Sequence, residues 1–115
     1  MIVVTTPFLA GHRVRESKGM VFGLVVRSRG LGGNIMAGLR SIGGGEIHEY
    51  TSLLEDTRRQ ALDRLVQNAT LLGANAILSM RFDSSELSGT MSEIVAYGTG
   101  VIVEPDASAP PVTAD

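Results

Sequence analysis

Cysteine is absent from this chain of 115 residues. Without a thiol the protein cannot form disulfides, use a thiolate nucleophile, or bind zinc or iron-sulfur clusters through sulfur. Any bound metal ion must therefore be held by histidine nitrogens and oxygen donors, and the chain has only two histidines.

Aromatic residues and basic stretches are also scarce. The chain has no tryptophan, three phenylalanines and two tyrosines, which gives few platforms on which nucleic-acid bases could stack. Ten basic residues nearly balance twelve acidic ones, and they form no basic stripe. We therefore expect no nucleic-acid partner.

No apolar run approaches the length that crosses a bilayer, and the N-terminus lacks the features of a signal peptide. We expect a cytoplasmic protein with no membrane partner. Residues 106–115 have few core-forming side chains, so we predict a disordered C-terminal tail after a single domain that spans residues 1–105.

Short β-branched runs at Ile2–Thr5 and Met20–Val26 predict strands. The second run is apolar on both faces apart from Gly23, so both of its faces must be covered. A chain this short can cover one face with its own helix, and it has little left to cover the other. This pattern predicts an obligate oligomer.

Two helices are predicted. Asn34 can cap a short helix that ends at Gly43, after a glycine-rich stretch, Gly30–Gly33, that is a plain connection or an anion site. The main helix begins at Ser52, which has capping-box spacing to Glu55, or earlier near Ile47, and it ends at Gly73. Its apolar stripe consists of Leu54, Ala61, Leu65, Ala69 and Leu72.

Two more strands follow the main helix. Alternating residues predict a strand from Ala76 to Asp83, a polar turn or loop over Ser84–Thr90, and a last strand over Met91–Val103. Gly98 and Gly100 lie on one face of the last strand. Because glycine weakens a strand unless something approaches closely there, we expect a helix or a neighbouring backbone packed over them.

The densest group of metal or acid-base side chains is Glu46, His48, Glu49 and Tyr50. Imidazole and carboxylate suit borderline and hard divalent ions. Adjacent helical residues point about 100 degrees apart, and a helix N-terminus favours carboxylates without any ligand, so a purely structural role is the competing interpretation. His12, the other histidine, has the features of a surface residue.

An enzyme is the least supported class, because no Gly-x-Ser-x-Gly elbow or activated nucleophile accompanies the serines. Arg58 or Arg59 could pair with Glu46 or Glu49 across the helix start or across a subunit boundary. Such a pair, if exposed, would contribute about 0 to 1 kcal/mol to stability.

Three signatures in order, Gly43–Thr51, Leu72–Ala76 and Ala96–Gly100, resemble the YbjQ-like family of small bacterial and archaeal proteins that are labelled heavy-metal-binding. The resemblance runs from about Val4 to Val103. Positions that match recurrent family residues are Gly44, Gly45, Tyr50 and Tyr97, with an arginine at 58 or 59. His48 falls at a variable position of the first motif, and Gly100 replaces the usual alanine.

The pattern of strands and helices predicts an α+β protomer with an antiparallel sheet covered by one long and one short helix. The resemblance implies a dodecin-subunit-like protomer in a ring of five subunits. Residues expected at contacts or in tight packing are Arg58, Arg59, Tyr97, Gly98 and Thr99. Three functions follow from this architecture: a divalent metal or small anionic ligand held at subunit junctions, a ligand-free scaffold, or an enzyme with its site at the interface.

Overall fold

The computed structural model describes residues 1–28, 48–88 and 91–108. The elements in this part of the chain are β1 (Ile2–Val3), β2 (His12–Ser28), α1 (His48–Leu71), β3 (Ala76–Ser88) and β4 (Met91–Pro105). The α+β class is confirmed. The short helix predicted at Asn34 lies outside the described residues, and no described helix is long and apolar enough to cross a membrane.

The sheet has the strand order β1-β3-β4-β2 and is mixed. β4 pairs antiparallel with both β2 and β3, whereas β1 pairs parallel with β3, so the prediction of a wholly antiparallel sheet is wrong at this edge. The Val4 N–H donates to the Ile77 carbonyl at 3.0 Å, and the Met80 N–H donates back to the Val4 carbonyl at 3.0 Å. A strand of two residues is too short for its sequence to indicate its partner or direction.

β3 and β4 form a long hairpin. Ser84 lies opposite Ile94 and Glu86 lies opposite Ser92, so the polar segment predicted as a loop is strand as far as Ser88. Backbone pairing with β4 continues through these residues and outweighs their polar composition. The remainder of the predicted loop, residues 89–90, lies outside the described residues.

Helix α1 begins at His48 and contains Ser52, so the predicted capping box is wrong and the earlier start near Ile47 agrees with the structure. Gly73 has φ +85°, the left-handed conformation predicted to end the helix. The last helical turn contains no basic residue. A β-carbon built on Gly73 would lie 4.0 Å from Nζ of Lys18, so this ammonium supplies positive charge near the helix C-terminus.

The main core lies between α1 and one face of the sheet. Its buried members are Val21, Val25, Ala61, Leu65, Ala69, Ala74, Ile77 and Ala96. The predicted helical stripe is confirmed at its three central positions, whereas Leu54 and Leu72 at its ends are exposed.

A smaller cluster occupies one end of the opposite sheet face. There Val4 and Leu9 of the N-terminal segment pack against Ala76, Leu78, Val101 and Val103. The N-terminal segment therefore covers only part of this second face.

Candidate functional site

The predicted donor cluster lies at the start of α1. His48, Glu49 and Tyr50 form its first residues, but their side chains lie outside the described part of the structure, as does Glu46. The prediction that these four residues bind a metal or ligand stays a prediction. The glycine-rich candidate anion loop, Gly30–Gly33, also lies outside the described residues.

The side chains that the structure does describe assemble no metal site. Among the described residues there is no group of three or more histidine, aspartate or glutamate side chains that could hold a metal ion. The His12 ring places Nδ1 at 3.0 Å from the Ala10 carbonyl, which can only accept, so Nδ1 carries the proton. This hydrogen bond stays within the local turn and orients the ring without a ligand.

Arg58 lies over an aromatic ring. Its guanidinium carbon is 5.4 Å from the centroid of the Phe82 ring, within the range of a cation-π contact. Helix geometry separates positions 49 and 58 by about 13 Å along the axis and by half a turn around it. Pairing of Arg58 with Glu49, as the sequence suggested, therefore requires a second subunit.

The segment Tyr97–Thr99 alternates between the two sheet faces. Tyr97 lies between Phe22 of β2 and Arg81 of β3 on the face opposite the helix, and its side chain is exposed. Gly98 faces the other way and is buried. A β-carbon built on Gly98 would lie 2.8 Å from Cγ2 of Ile77 and 2.9 Å from the Leu78 carbonyl oxygen, so the close neighbour is strand β3 and not a helix.

A β-bulge in β3 produces that close approach. Leu78 pairs with Thr99 and Arg81 pairs with Tyr97, so Ser79 and Met80 together oppose Gly98. Ser79 has φ 54°, an uncommon conformation for a residue with a side chain, and its N–H donates to the Thr6 carbonyl at 2.9 Å. The one extra residue shifts the alternation of β3, so that Arg81 lies in the row of Tyr97.

The sequence did not indicate three residues that fix the helix on the sheet. A β-carbon on Gly23 would collide with the α1 backbone at Ala61, Arg64 and Leu65, so this glycine lets the helix lie directly on β2. The one sequence signal for this role was the position of Gly23 in an otherwise apolar strand.

Arg64 and Asn68 are the other two. Nη1 of Arg64 donates to the Leu24 carbonyl at 2.5 Å, and Nδ2 of Asn68 donates to the Phe22 carbonyl at 2.8 Å. Their spacing of four residues places them on one side of the helix. Polar residues on any solvated helix face have the same spacing, so their role has no specific signal in the sequence.

Comparison with known proteins gives a family match for the sequence and a structural match for the fold. Residues 1–104 match the YbjQ_1 family model, which carries the description "Putative heavy-metal-binding". The chain belongs to the YbjQ family. The resemblance seen in the sequence is thereby confirmed.

Relatives in the YbjQ family come from both bacteria and archaea. A UPF0145 protein of Bradyrhizobium sp. (strain ORS 278) is 66% identical over 105 residues, covering 91% of this chain and 95% of its own length. A UPF0145 protein of Methanoregula boonei is 58% identical over 109 residues, covering 95% and 91%. These names state no ligand or activity.

A crystal structure shares the fold. A protein of the DUF74 family from Pediococcus pentosaceus superposes with a TM-score of 0.59 at 17% sequence identity, covering 90% of this chain and 98% of its own. At this identity the similarity establishes the α+β architecture alone.

Proposed function

We propose that this YbjQ-family chain is a cytoplasmic, self-assembling binding protein, whose subunits form a ring of five and hold a divalent metal ion at their junctions. The observation that supports self-assembly in general is the exposed apolar sheet face opposite α1, where Met20 and Phe22 of β2 are exposed. The ring of five is proposed from the resemblance to the YbjQ family. The family description supports a metal as the ligand.

The proposed metal donors are Glu46, His48 and Glu49, with Tyr50 beside them and Arg58 or Arg59 approaching from a neighbouring subunit. A donor set of carboxylates, imidazole and water fits zinc, nickel or copper. It does not fit mercury or cadmium, which select thiolates, because the chain contains no cysteine. When bound, such an ion would cross-link subunits.

A ligand-free scaffold is the second candidate. It is favoured by the exposed apolar sheet face, which could join subunits without any ligand. The two candidates differ in one measurable property, the binding of zinc by the purified protein.

Calorimetric titration of the untagged, metal-free full chain with zinc tests the metal site. We expect heat from the wild-type protein and none from the triple variant Glu46→Gln, His48→Ala, Glu49→Gln. Binding should weaken in mildly acid buffer, because protonated imidazole cannot bind a metal.

The variant His12→Ala serves as the control, since it removes the other histidine and should leave the heat unchanged. Equal heats from the wild type and the triple variant would place any metal elsewhere. No heat from either protein would support the scaffold.

A further inference from the structure

A continuous apolar surface lies on the sheet face opposite α1, and we refer to it as the open face. It consists of Met20, Phe22, Leu24 and Val26 from β2 with Val95 and Tyr97 from β4. The exposed fractions are 72% for Met20, 51% for Phe22, 47% for Val26 and 37% for Tyr97.

The side chains of the open face are neighbours across and along the strands. Phe22 pairs with Tyr97 and Leu24 pairs with Val95 in the antiparallel register, so each pair shares one face at about 5 Å separation. Successive rows lie about 7 Å apart along the strands. The open face is therefore one patch, and contiguous apolar patches of this kind mark interaction sites.

The backbone edge beside the open face is already occupied. β2 is an edge strand, and edge strands attract strands from other chains. Here Arg64 and Asn68 of α1 donate to the outward carbonyls of Leu24 and Phe22, so a new strand would have to displace both side chains. A partner is therefore better accommodated on the face of the sheet than along its edge.

Opposite charges lie beside the apolar patch on β3. Arg81 is in the row of Phe22 and Tyr97, and Asp83 is in the next row, beside Val95. Both are exposed, and the ion pairs among the described residues, Arg13–Glu104, Lys18–Glu16 and Arg27–Asp56, do not include them.

The side chains of Arg81 and Asp83 form hydrogen bonds with backbone groups. Nη1 of Arg81 donates to the Thr5 and Met80 carbonyls at 3.0 Å, and Oδ1 of Asp83 accepts from the Ser84 N–H at 2.8 Å. Their net charges thus remain available to a partner that presents the opposite sign at the same spacing.

We propose that the open face binds the open face of a second copy of this chain. The two copies are related by a two-fold axis that lies between the two sheets, runs perpendicular to the strands, and passes midway between the rows of Phe22 and Leu24. This axis sets each row against the neighbouring row of the second copy. Phe22 then meets Leu24 of the second copy, and Arg81 meets Asp83 of the second copy. In these two rows each large side chain meets a smaller one and each charge meets its opposite. Glu93 of β4, which shares the row of Val26, meets the hydroxyl-bearing Thr99 of the second copy.

The same axis sets Tyr97 against Val95 and Met20 against Val26 of the second copy. Two sheets stacked in this way form a sandwich about 10 Å thick, with the apolar side chains of β2 and β4 inside. The charges of β3 lie at one rim, and Glu93 of β4 lies in the end row beside Val26. An apolar centre with a polar rim is the usual anatomy of a protein interface. The open face is complementary to itself.

This inference rests on the self-assembly proposed above and adds one isologous contact to it. A two-fold contact joins subunits in pairs, so a particle that satisfies every open face contains an even number of chains. Rings of five joined by this contact contain ten chains.

Charge exchange tests the axis. Light scattering is measured for the full chain, for Arg81→Asp, for Asp83→Arg and for the double variant that carries both changes. In each single variant like charges face each other twice per contact, so we expect the dissociation constant of the paired form to rise about tenfold or more. The double variant should restore pairing, because each position again faces its opposite.

An apolar-to-charged change tests the face itself. Phe22→Glu should leave particles with half the wild-type mass, whereas Leu71→Glu, at an 85% exposed apolar residue at the end of α1, should leave the mass unchanged. Circular dichroism of each variant establishes that the subunit remains folded.

Each outcome decides a separate point. A wild-type monomer would overturn both the proposed self-assembly and this contact. A wild-type mass of five chains, or a Phe22→Glu protein with the wild-type mass, would overturn the open-face contact and leave the ring. Weakened single variants without rescue by the double variant would overturn the two-fold axis.

Discussion

Gly98 and Gly100 lie two residues apart on the same face of β4 but have different surroundings. A β-carbon at Gly98 would lie 2.9 Å from the backbone oxygen of Leu78, whereas one at Gly100 would lie 3.4 Å from the methyl group of Ala74, an ordinary contact. The bulge in β3 makes the difference, because it moves the β3 backbone towards Gly98 alone.

We expect Gly98→Ala to lower the free energy of unfolding by about 1 to 3 kcal/mol, because the backbone of β3 must move. Gly100→Ala is the matched control and should change this free energy by less than about 0.5 kcal/mol. Chemical denaturation of both variants gives the measurement. Equal effects at the two positions would contradict the assignment of the tight contact to the bulge.

Two glycines on one strand face predicted a close approach, but the sequence could not say which neighbour approaches or which glycine needs it. That distinction depends on Ser79 in a left-handed conformation, and serine gives no local signal for it. Gly23 is similar, since its role depends on where α1 crosses β2, which is a property of the packed molecule.

At the scale of elements, the clearest feature is the outer edge of β2, which side chains of α1 cover. Arg64 and Asn68 bond to two of its carbonyls from the helix above. Long exposed edge strands promote aggregation unless something covers them. The two side chains therefore protect an edge that is part of a strand of 17 residues.

We expect the double variant Arg64→Ala, Asn68→Ala to aggregate at lower protein concentration and temperature than the wild type, because the Leu24 and Phe22 carbonyls become available to other chains. Turbidity during heating and thioflavin fluorescence give the measurement. The control is Asp63→Ala, Gln67→Ala, which changes two exposed residues of the same helix with the same spacing of four. Indistinguishable aggregation of the two double variants would contradict a protective role for Arg64 and Asn68.

Periodicity predicted the strongly apolar elements and failed on the short or polar ones. In β2, the predicted strand Met20–Val26 lacks the polar first half, which begins at His12. The centre of α1 and most of β4 have strong apolar repeats, so they were predicted with small errors at their ends. The polar end of β3 has no such repeat. It is a strand because its backbone pairs with β4, and burial contributes little there. The direction of β1 depends on contacts with a strand more than seventy residues away.

On the scale of the whole molecule, the described residues supply one helix that covers one face of the sheet and an N-terminal segment that covers part of the other. The sequence predicted this shortage of cover from the doubly apolar run at Met20–Val26. It could not locate the uncovered rows, since those depend on the register of β2 against β4 and on the position of Val4 and Leu9.

We expect the thermal unfolding midpoint of the wild-type protein to rise with protein concentration, because association stabilises the folded subunit by mass action. In the variant Phe22→Glu this dependence should be weaker, since the open face no longer associates. Calorimetric scans over a hundredfold range of concentration give the measurement. A concentration-independent midpoint for the wild type would show that folding and assembly are not coupled.

Lys18, beside the C-terminus of α1, is the chain's only lysine. Apart from the N-terminal amine, it is therefore the only position that an amine-reactive dye can label. Its ammonium lies near Gly73 and 3.1 Å from Oε1 of Glu16, on strand β2 but outside the open face. A fluorophore attached there would report distances between subunits without touching the open face.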